Sequence, residues 1–238
     1  MVSNRVMVII PAYNEENSIT KVIRQIKNNS PQADIVVVND GSKDNTVATA
    51  RAEGVVVIDL PYNLGIGGAM QTGYLYAYLN NYDVAVQIDA DGQHNPADLP
   101  KLLQKLTDCS CDMVVGSRYV ARTDYKSSKS RRVGMVFFSA IIKLITGCKI
   151  KDTTSGFRAV NRKIIEVFAT KYPTDYPEVE VLVLLQKLNF KIVEIPVQME
   201  NRQAGHSSIT PLRGIYYMLK VTLALVMNTL RSQRSVTR

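Results

Sequence analysis

Short apolar runs alternate with amphipathic helical segments through the first 120 residues, and nothing else in the chain restricts its fold as tightly. Arg5-Val6-Met7-Val8-Ile9-Ile10 reads as a strand. Ile19, Val22, Ile23 and Ile26 then recur at helical spacing, with acids in the first turn where the helix dipole favours them. Ile35 to Val38 is the next strand, followed by a helix through Val47, Ala50 and Arg51 and a strand from Val55 to Ile58. The loop Asn63 to Gly68 leads into a helix from about Ala69 to Leu79, and Val84-Ala85-Val86 opens a further strand. Leu99, Leu102, Leu103 and Leu106 share a helix face ahead of a strand at Met113 to Val115. This alternation predicts an α/β fold, a mainly parallel, doubly wound sheet with helices on both faces. Ligands of such sheets bind at the carboxyl ends of the strands, so the polar loops after residues near 10, 38, 88 and 115 should converge on one cleft.

The loop after Val86 carries the most pointed chemistry. In Ile88-Asp89-Ala90-Asp91-Gly92-Gln93-His94 the two acids are one residue apart and are expected on one strand face at the sheet edge. Two hard oxygen donors with open positions left over suit Mg²⁺ or Mn²⁺ bridging to a substrate's phosphates. An acidic turn is the plain alternative, since Asp-Gly is a common turn dipeptide. Gly65-Ile66-Gly67-Gly68 fails a dinucleotide fingerprint, because the third glycine would fall at Met70 and the loop follows the third strand rather than the first. Gly67 is expected instead to let backbone pass close to a bound nucleotide sugar, or to start a tightly packed helix.

With 46% hydrophobic and 21% charged residues the chain is globular, and 238 residues allow one large domain or two small ones. The net charge of +8 is unevenly placed. Residues 117–151 hold nine Lys/Arg against one Asp, residues 201–238 hold six and no acid, and the remainder has 14 basic and 20 acidic residues, a net of −6. Such blocks suit a phosphorylated substrate, an anionic membrane surface or nucleic acid. No aromatic-interleaved RNA motif or recognition helix accompanies them, which argues against nucleic acid. Cys109, Cys111 and Cys148 form no even framework and no zinc spacing, so they read as loop thiols. With no secretory segment ahead of the first strand, a reducing, cytoplasmic setting is expected.

Beyond residue 120 the pattern changes. Arg122 to Arg132 is basic without an apolar period and reads as a loop, while Val133 to Ile145 is apolar apart from Lys143. Helices are expected from near Arg162 and near Glu178, and a late strand at Ile192 to Ile195. Leu212 to Leu230 is apolar but contains Arg213 and Lys220, and a lysine at the bilayer centre would cost about 2.5–3.5 kcal/mol. An interfacial or core helix with a basic tail (Arg231, Arg234, Arg238) is expected rather than a span. The division is therefore a main domain over 1–210 and an amphipathic, membrane-interfacial segment over 211–238.

Six stretches then fall in a recognisable order: Pro11-Ala12-Tyr13-Asn14-Glu15, Asn39-Asp40-Gly41-Ser42-Lys43-Asp44, Asp89-Ala90-Asp91, Gly116-Ser117-Arg118-Tyr119, Thr154-Ser155-Gly156-Phe157-Arg158, and Asn201-Arg202 to Ser208. Together they resemble the inverting family 2 glycosyltransferases of the GT-A fold over about residues 5–210. Within that family the chain looks most like the polyprenyl-phosphate hexose synthases, whose relatives include dolichyl-phosphate mannose synthase. The resemblance implies that Pro11, Tyr13 and Glu15 line the nucleobase and ribose site, with Asp40 also hydrogen-bonding there. It implies that Asp89, Asp91 and Gln93 hold the divalent cation, with Ala90 between them against the nucleotide sugar. Arg118, Arg131 and Arg202 match arginines placed around the donor and acceptor phosphates, with Arg132 an equally placed neighbour of Arg131. Guanidinium suits that task, being always charged and able to bind phosphate bidentately. Asn39 stands where many members carry Asp.

The implied reaction is an in-line displacement at the sugar's anomeric carbon, with inversion. A nucleotide sugar, UDP-linked by expectation, would give its hexose or N-acetylhexosamine to undecaprenyl or a similar polyprenyl phosphate for surface-polysaccharide assembly. A phosphomonoester acceptor is largely ionised at pH 7 (second pKa about 6) and requires no strong base. A saccharide hydroxyl acceptor would require one, with Asp152 the first candidate and Glu180 the second. A non-catalytic nucleotide-sugar-binding scaffold is the remaining alternative. The expected location is the cytoplasmic face of the membrane, reached peripherally through the 133–147 and 212–230 segments or through a small membrane protein partner.

Overall fold

The structure, a computed structural model, describes residues 4–120, 129–147, 150–174, 177–199 and 220, with the side chains of 129–135 and 145–146 outside that description. In chain order the elements are β1 (Val6–Ala12), α1 (Ile19–Asn29), β2 (Asp34–Asn39), α2 (Thr46–Ala52), β3 (Val56–Asp59), α3 (Gly65–Leu79), β4 (Val84–Gln87), α4 (Leu99–Asp108), β5 (Met113–Ser117), α5 (Lys129–Thr146), β6 (Arg158–Asn161), α6 (Arg162–Thr170), α7 (Pro177–Lys187) and β7 (Ile192–Pro196). The strands make one sheet in the order β3-β2-β1-β4-β6-β5-β7. β6 runs antiparallel to both neighbours and every other pairing is parallel.

Alternation along β1 shows why the sheet is covered twice. Met7 and Ile9 face a core shared with α3, α6 and α7, whereas Val8, Ile10 and Ala12 face the one closed by α1 and α4. The four apolar residues that predicted α1 (Ile19, Val22, Ile23 and Ile26) are its buried face. On α3 Gly73 has no Cβ to collide with Ile9, whose Cγ2 would lie 2.3 Å away, so the helix lies close on the sheet.

Several expectations need correction. Glu15 and Glu16 precede α1 rather than forming its first turn, because the chain first turns back through 16–18 onto Ser18. α3 begins at Gly65, so the glycines expected in a loop form the helix's first turn. The basic stretch to Arg132 is helical from Lys129. β4 stops at Gln87, so Asp89 and Asp91 lie beyond it in a turn containing Gly92 at φ +73°, not along one strand face. The sulfurs of Cys109 and Cys111 are joined as a disulfide, where the spacing suggested loop thiols. β6 was not expected. Residues 200–219 and 221–238, including the 210 boundary, Arg202 and nearly all of the 212–230 segment expected to be helical, lie outside the described residues.

Candidate active site

The order of strands reverses direction of travel between β1 and β4, and the loops after β1, β2 and β4 open at that point. The loops after β1 and β2 are laced into one rim. The Asn14 amide donates to Ser42 Oγ at 2.8 Å, the Lys43 amide to Asn14 Oδ1 at 2.9 Å, and the Glu15 amide to Thr46 Oγ1 at 2.8 Å. Asp44 anchors the lacing. Burial opposes its charge, but hydrogen bonds from the Thr46 hydroxyl and the Thr46 and Glu16 amides outweigh burial and hold its carboxyl below the usual range.

On this rim the residues expected to meet the nucleotide are differently disposed. Pro11 is buried in β1, Tyr13 is exposed, and the Glu15 carboxylate accepts from Ser18 Oγ at 2.5 Å. Asp40 is buried and accepts the Leu64 amide at 2.7 Å, fixing the entry to α3. Asn39 reaches across to β3, donating from Nδ2 to Asp59 Oδ1 at 2.8 Å. A Cβ on Gly67 would lie 2.4 Å from the Thr174 carbonyl oxygen, so that glycine admits the chain's own 173–174 backbone.

Asp89 and Asp91 are both half-buried. Gln87 Nε2 donates to Asp89 Oδ1 at 3.0 Å, and the Gln93 amide closes a small turn on Asp91 Oδ1 at 3.0 Å. Ala90 packs its methyl into the core, so only its main chain can face a ligand. A Cβ on Gly156 would sit 2.8 Å from Asp89 Oδ2 and 2.9 Å from Gln87 Nε2, so the carboxylate occupies the space that glycine leaves. Among the described residues no three His, Cys, Asp or Glu side chains gather as a metal site. A paired-carboxylate set still fits a small hard cation, which takes few protein ligands and completes its shell with phosphate oxygens and water.

Arg118 and Asp152 form a buried bidentate pair. Arg118 Nε donates to Oδ2 at 2.7 Å and an Nη to Oδ1 at 2.6 Å, and the Arg118 amide adds a third bond to Oδ2 at 3.0 Å. Asp152 has no exposed surface, and Glu194 of β7 accepts its amide and that of Lys151, each at 2.8 Å. Arg131 is on α5, but its side chain, like all of Arg202, lies outside the described residues. Glu180 is half-buried on α7.

One short segment joins the two clusters. Thr154 accepts from Arg118 at 2.8 Å, Ser155 Oγ donates to the Gly116 carbonyl at 2.6 Å, and Gly156 lies against Asp89. Sequence reasoning quoted these residues as a motif without seeing that they tie β5 to the acid loop. It quoted Arg158 and Glu178 without giving either a role; the buried Arg158 guanidinium donates to the carbonyls of Ser155 and Glu178. Burial pushes the Glu178 carboxyl above the ordinary range. Its own amide and Arg158 oppose the shift, and the charge of Asp89 reinforces it.

A sheet of this order, with one reversed strand and an acid loop at the switch point, is the GT-A glycosyltransferase architecture. Within it the chain belongs to glycosyl transferase family 2, whose model matches residues 7–168. It is 33% identical over 218 residues to the UDP-N-acetylglucosamine–dolichyl-phosphate N-acetylglucosaminyltransferase of Methanococcus voltae, covering 83% of this chain and 86% of that one. It is 29% identical over 246 residues to the polyprenol monophosphomannose synthase of Mycolicibacterium smegmatis, covering 99% and 92%. Its fold is similar to that of glucosyl-3-phosphoglycerate synthase from Mycobacterium tuberculosis, crystallised with Mn²⁺ and UDP, with a TM-score of 0.71 at 23% identity over 95% of this chain and 80% of that one.

Proposed function

We propose that this protein transfers a hexose or N-acetylhexosamine from a UDP-sugar to a polyprenyl phosphate, with inversion at the anomeric carbon. The observation that carries the reading is the pair of half-exposed carboxylates at the β1/β4 switch point, Asp89 seated in the space left by Gly156. The relatives' names support the acceptor, since one includes dolichyl phosphate and the other is a synthase of polyprenol monophosphomannose. A divalent cation, Mg²⁺ or Mn²⁺, held by Asp89, Asp91 and Gln93 would neutralise the departing diphosphate. The chain's own part is positional. Tyr13 and the laced rim receive the nucleotide and Arg131 and Arg202 are assigned to the phosphates, while Arg118, sealed against Asp152, braces the site rather than meeting a ligand as the resemblance implied. An acceptor phosphate oxygen forms the new bond to the anomeric carbon as the bond to the diphosphate breaks and its electron pair leaves with the diphosphate.

Asp152 enters this reading as the holder of Arg118 rather than as a base, because both its oxygens are occupied and sealed from solvent. A phosphate acceptor, already ionised, needs no base in its place. We place the reaction at a membrane surface approached from one side. No described helix is long and apolar enough to cross a bilayer, and α5 exposes Val136, Phe137 and Leu144 beside Lys143. The test is incubation of purified protein with radiolabelled UDP-sugars and undecaprenyl phosphate in anionic vesicles. Label should move into the organic phase, and Asp91→Asn should cut that transfer about 10²–10³-fold. Transfer only to water-soluble saccharides, or full activity in the variant, overturns the proposal.

A further inference from the structure

We infer that His94 is a positioning residue for the acid loop, its ring presetting the Asp89 carboxylate for the cation. The inference rests on the metal reading given above and goes beyond it. His94 is 2% exposed, and both of its ring nitrogens face the same residue. Nδ1 accepts the Asp89 amide at 3.1 Å, which in the neutral ring leaves the proton on Nε2. Nε2 stands 3.7 Å from Asp89 Oδ2, too far for a hydrogen bond but placed so that its N–H dipole faces that oxygen. The ring has no freedom to swing away. It stacks on Phe157 with centroids 5.2 Å apart, and the His94 main chain bridges to Met199.

The Asp89 carboxylate is thereby bounded on three sides. Gln87 Nε2 holds Oδ1, the His94 ring flanks Oδ2, and Gly156 closes the cradle without a side chain. A carboxylate fixed before the cation arrives loses no rotamer freedom when it binds, as outer-sphere partners of metal ligands do elsewhere. A histidine present only to fill the core would need its ring and not its nitrogens. The two roles are separable, because phenylalanine keeps the stack and asparagine keeps a polar atom near Nδ1.

The experiment measures Mn²⁺ binding to the full chain by electron paramagnetic resonance, with thermal melting alongside, for wild type, His94→Phe, His94→Asn and Asp91→Asn. His94→Phe should weaken Mn²⁺ about 10–100-fold. His94→Asn should bind more tightly than His94→Phe, whichever of the two melts higher. Wild-type affinity in His94→Phe, or equal affinities in the two variants, overturns the inference and leaves the metal reading standing. Wild type binding no more Mn²⁺ than Asp91→Asn removes the metal reading itself, and the inference with it.

Discussion

Asp89, following β4, leaves 37% of its side chain open to solvent, whereas Asp152, preceding β6, leaves none. Both sit at the carboxyl end of the parallel strands, and the 152–156 segment connects them. What separates them is the partner each was given. Asp89 meets a glycine, an amide and the His94 ring, none of which takes both of its oxygens. Asp152 meets a guanidinium that takes both oxygens. The open carboxylate keeps lone pairs for a ligand from outside, while the closed one spends them inside the protein. A shared residue type therefore yields two environments, one left open at the site and one closed by the protein.

The sharpest way to break this comparison is Asp152→Ala. It strands the Arg118 guanidinium in a site that is 6% exposed, and removing one partner of a buried pair costs about 3–5 kcal/mol. Urea unfolding should report that loss. The double variant Arg118→Met/Asp152→Leu should recover most of it, because the isolated charge is then gone. A loss below about 1 kcal/mol in the single variant would mean that the pair is not sealed and that Asp152 could serve as a base after all.

The two regions also differ in how far they could be read from sequence. The doubly wound sheet followed from apolar periodicity, and Leu99, Leu102 and Leu106 lie on the buried side of α4 as their spacing required. β6 escaped because Arg158-Ala159-Val160-Asn161 has polar ends. Arg158 is buried only because it pairs across from Gln87 and donates to two carbonyls, which no local pattern encodes. α3 was begun too late because glycine has poor helix propensity, and the compensating reason is a close approach of residues 173–174, a hundred positions away. The acids were legible as a spacing. That His94 turns both nitrogens to Asp89 was not, since a single histidine in a polar loop has no period and its contact is to a main-chain amide.

Gly156→Ala tests the open side with a smaller expected effect on stability. The added Cβ would collide with the ends of two side chains, Asp89 and Gln87, which can move aside. Stability should therefore fall by about 1 kcal/mol, the low end for overpacking. Mn²⁺ affinity should fall about 10–100-fold, because the carboxylate leaves its preset position. Asp152→Ala should weigh on stability first and Gly156→Ala on the ligand first. Calorimetry of Mn²⁺ binding beside urea unfolding on the same samples would show whether they divide in that way.

The smallest effect belongs to Glu178, which lies in the first turn of α7 and feels the charge of Asp89. Burial raises its carboxyl above the ordinary value of 4.5, so in that interval the folded protein binds more protons than the unfolded chain. Stability from this group is present in full below the unfolded value and is lost as pH rises through the raised folded one. Glu178→Gln should flatten that decline and leave the protein more stable than wild type at neutral pH. Asp89→Asn should shift the decline toward lower pH, since a negative neighbour then stops opposing ionisation. Urea midpoints between about pH 4 and pH 8 would register both changes. A Glu178→Gln curve parallel to wild type would show that the acid region is more open to water than its packing indicates, and would narrow the contrast between Asp89 and Asp152.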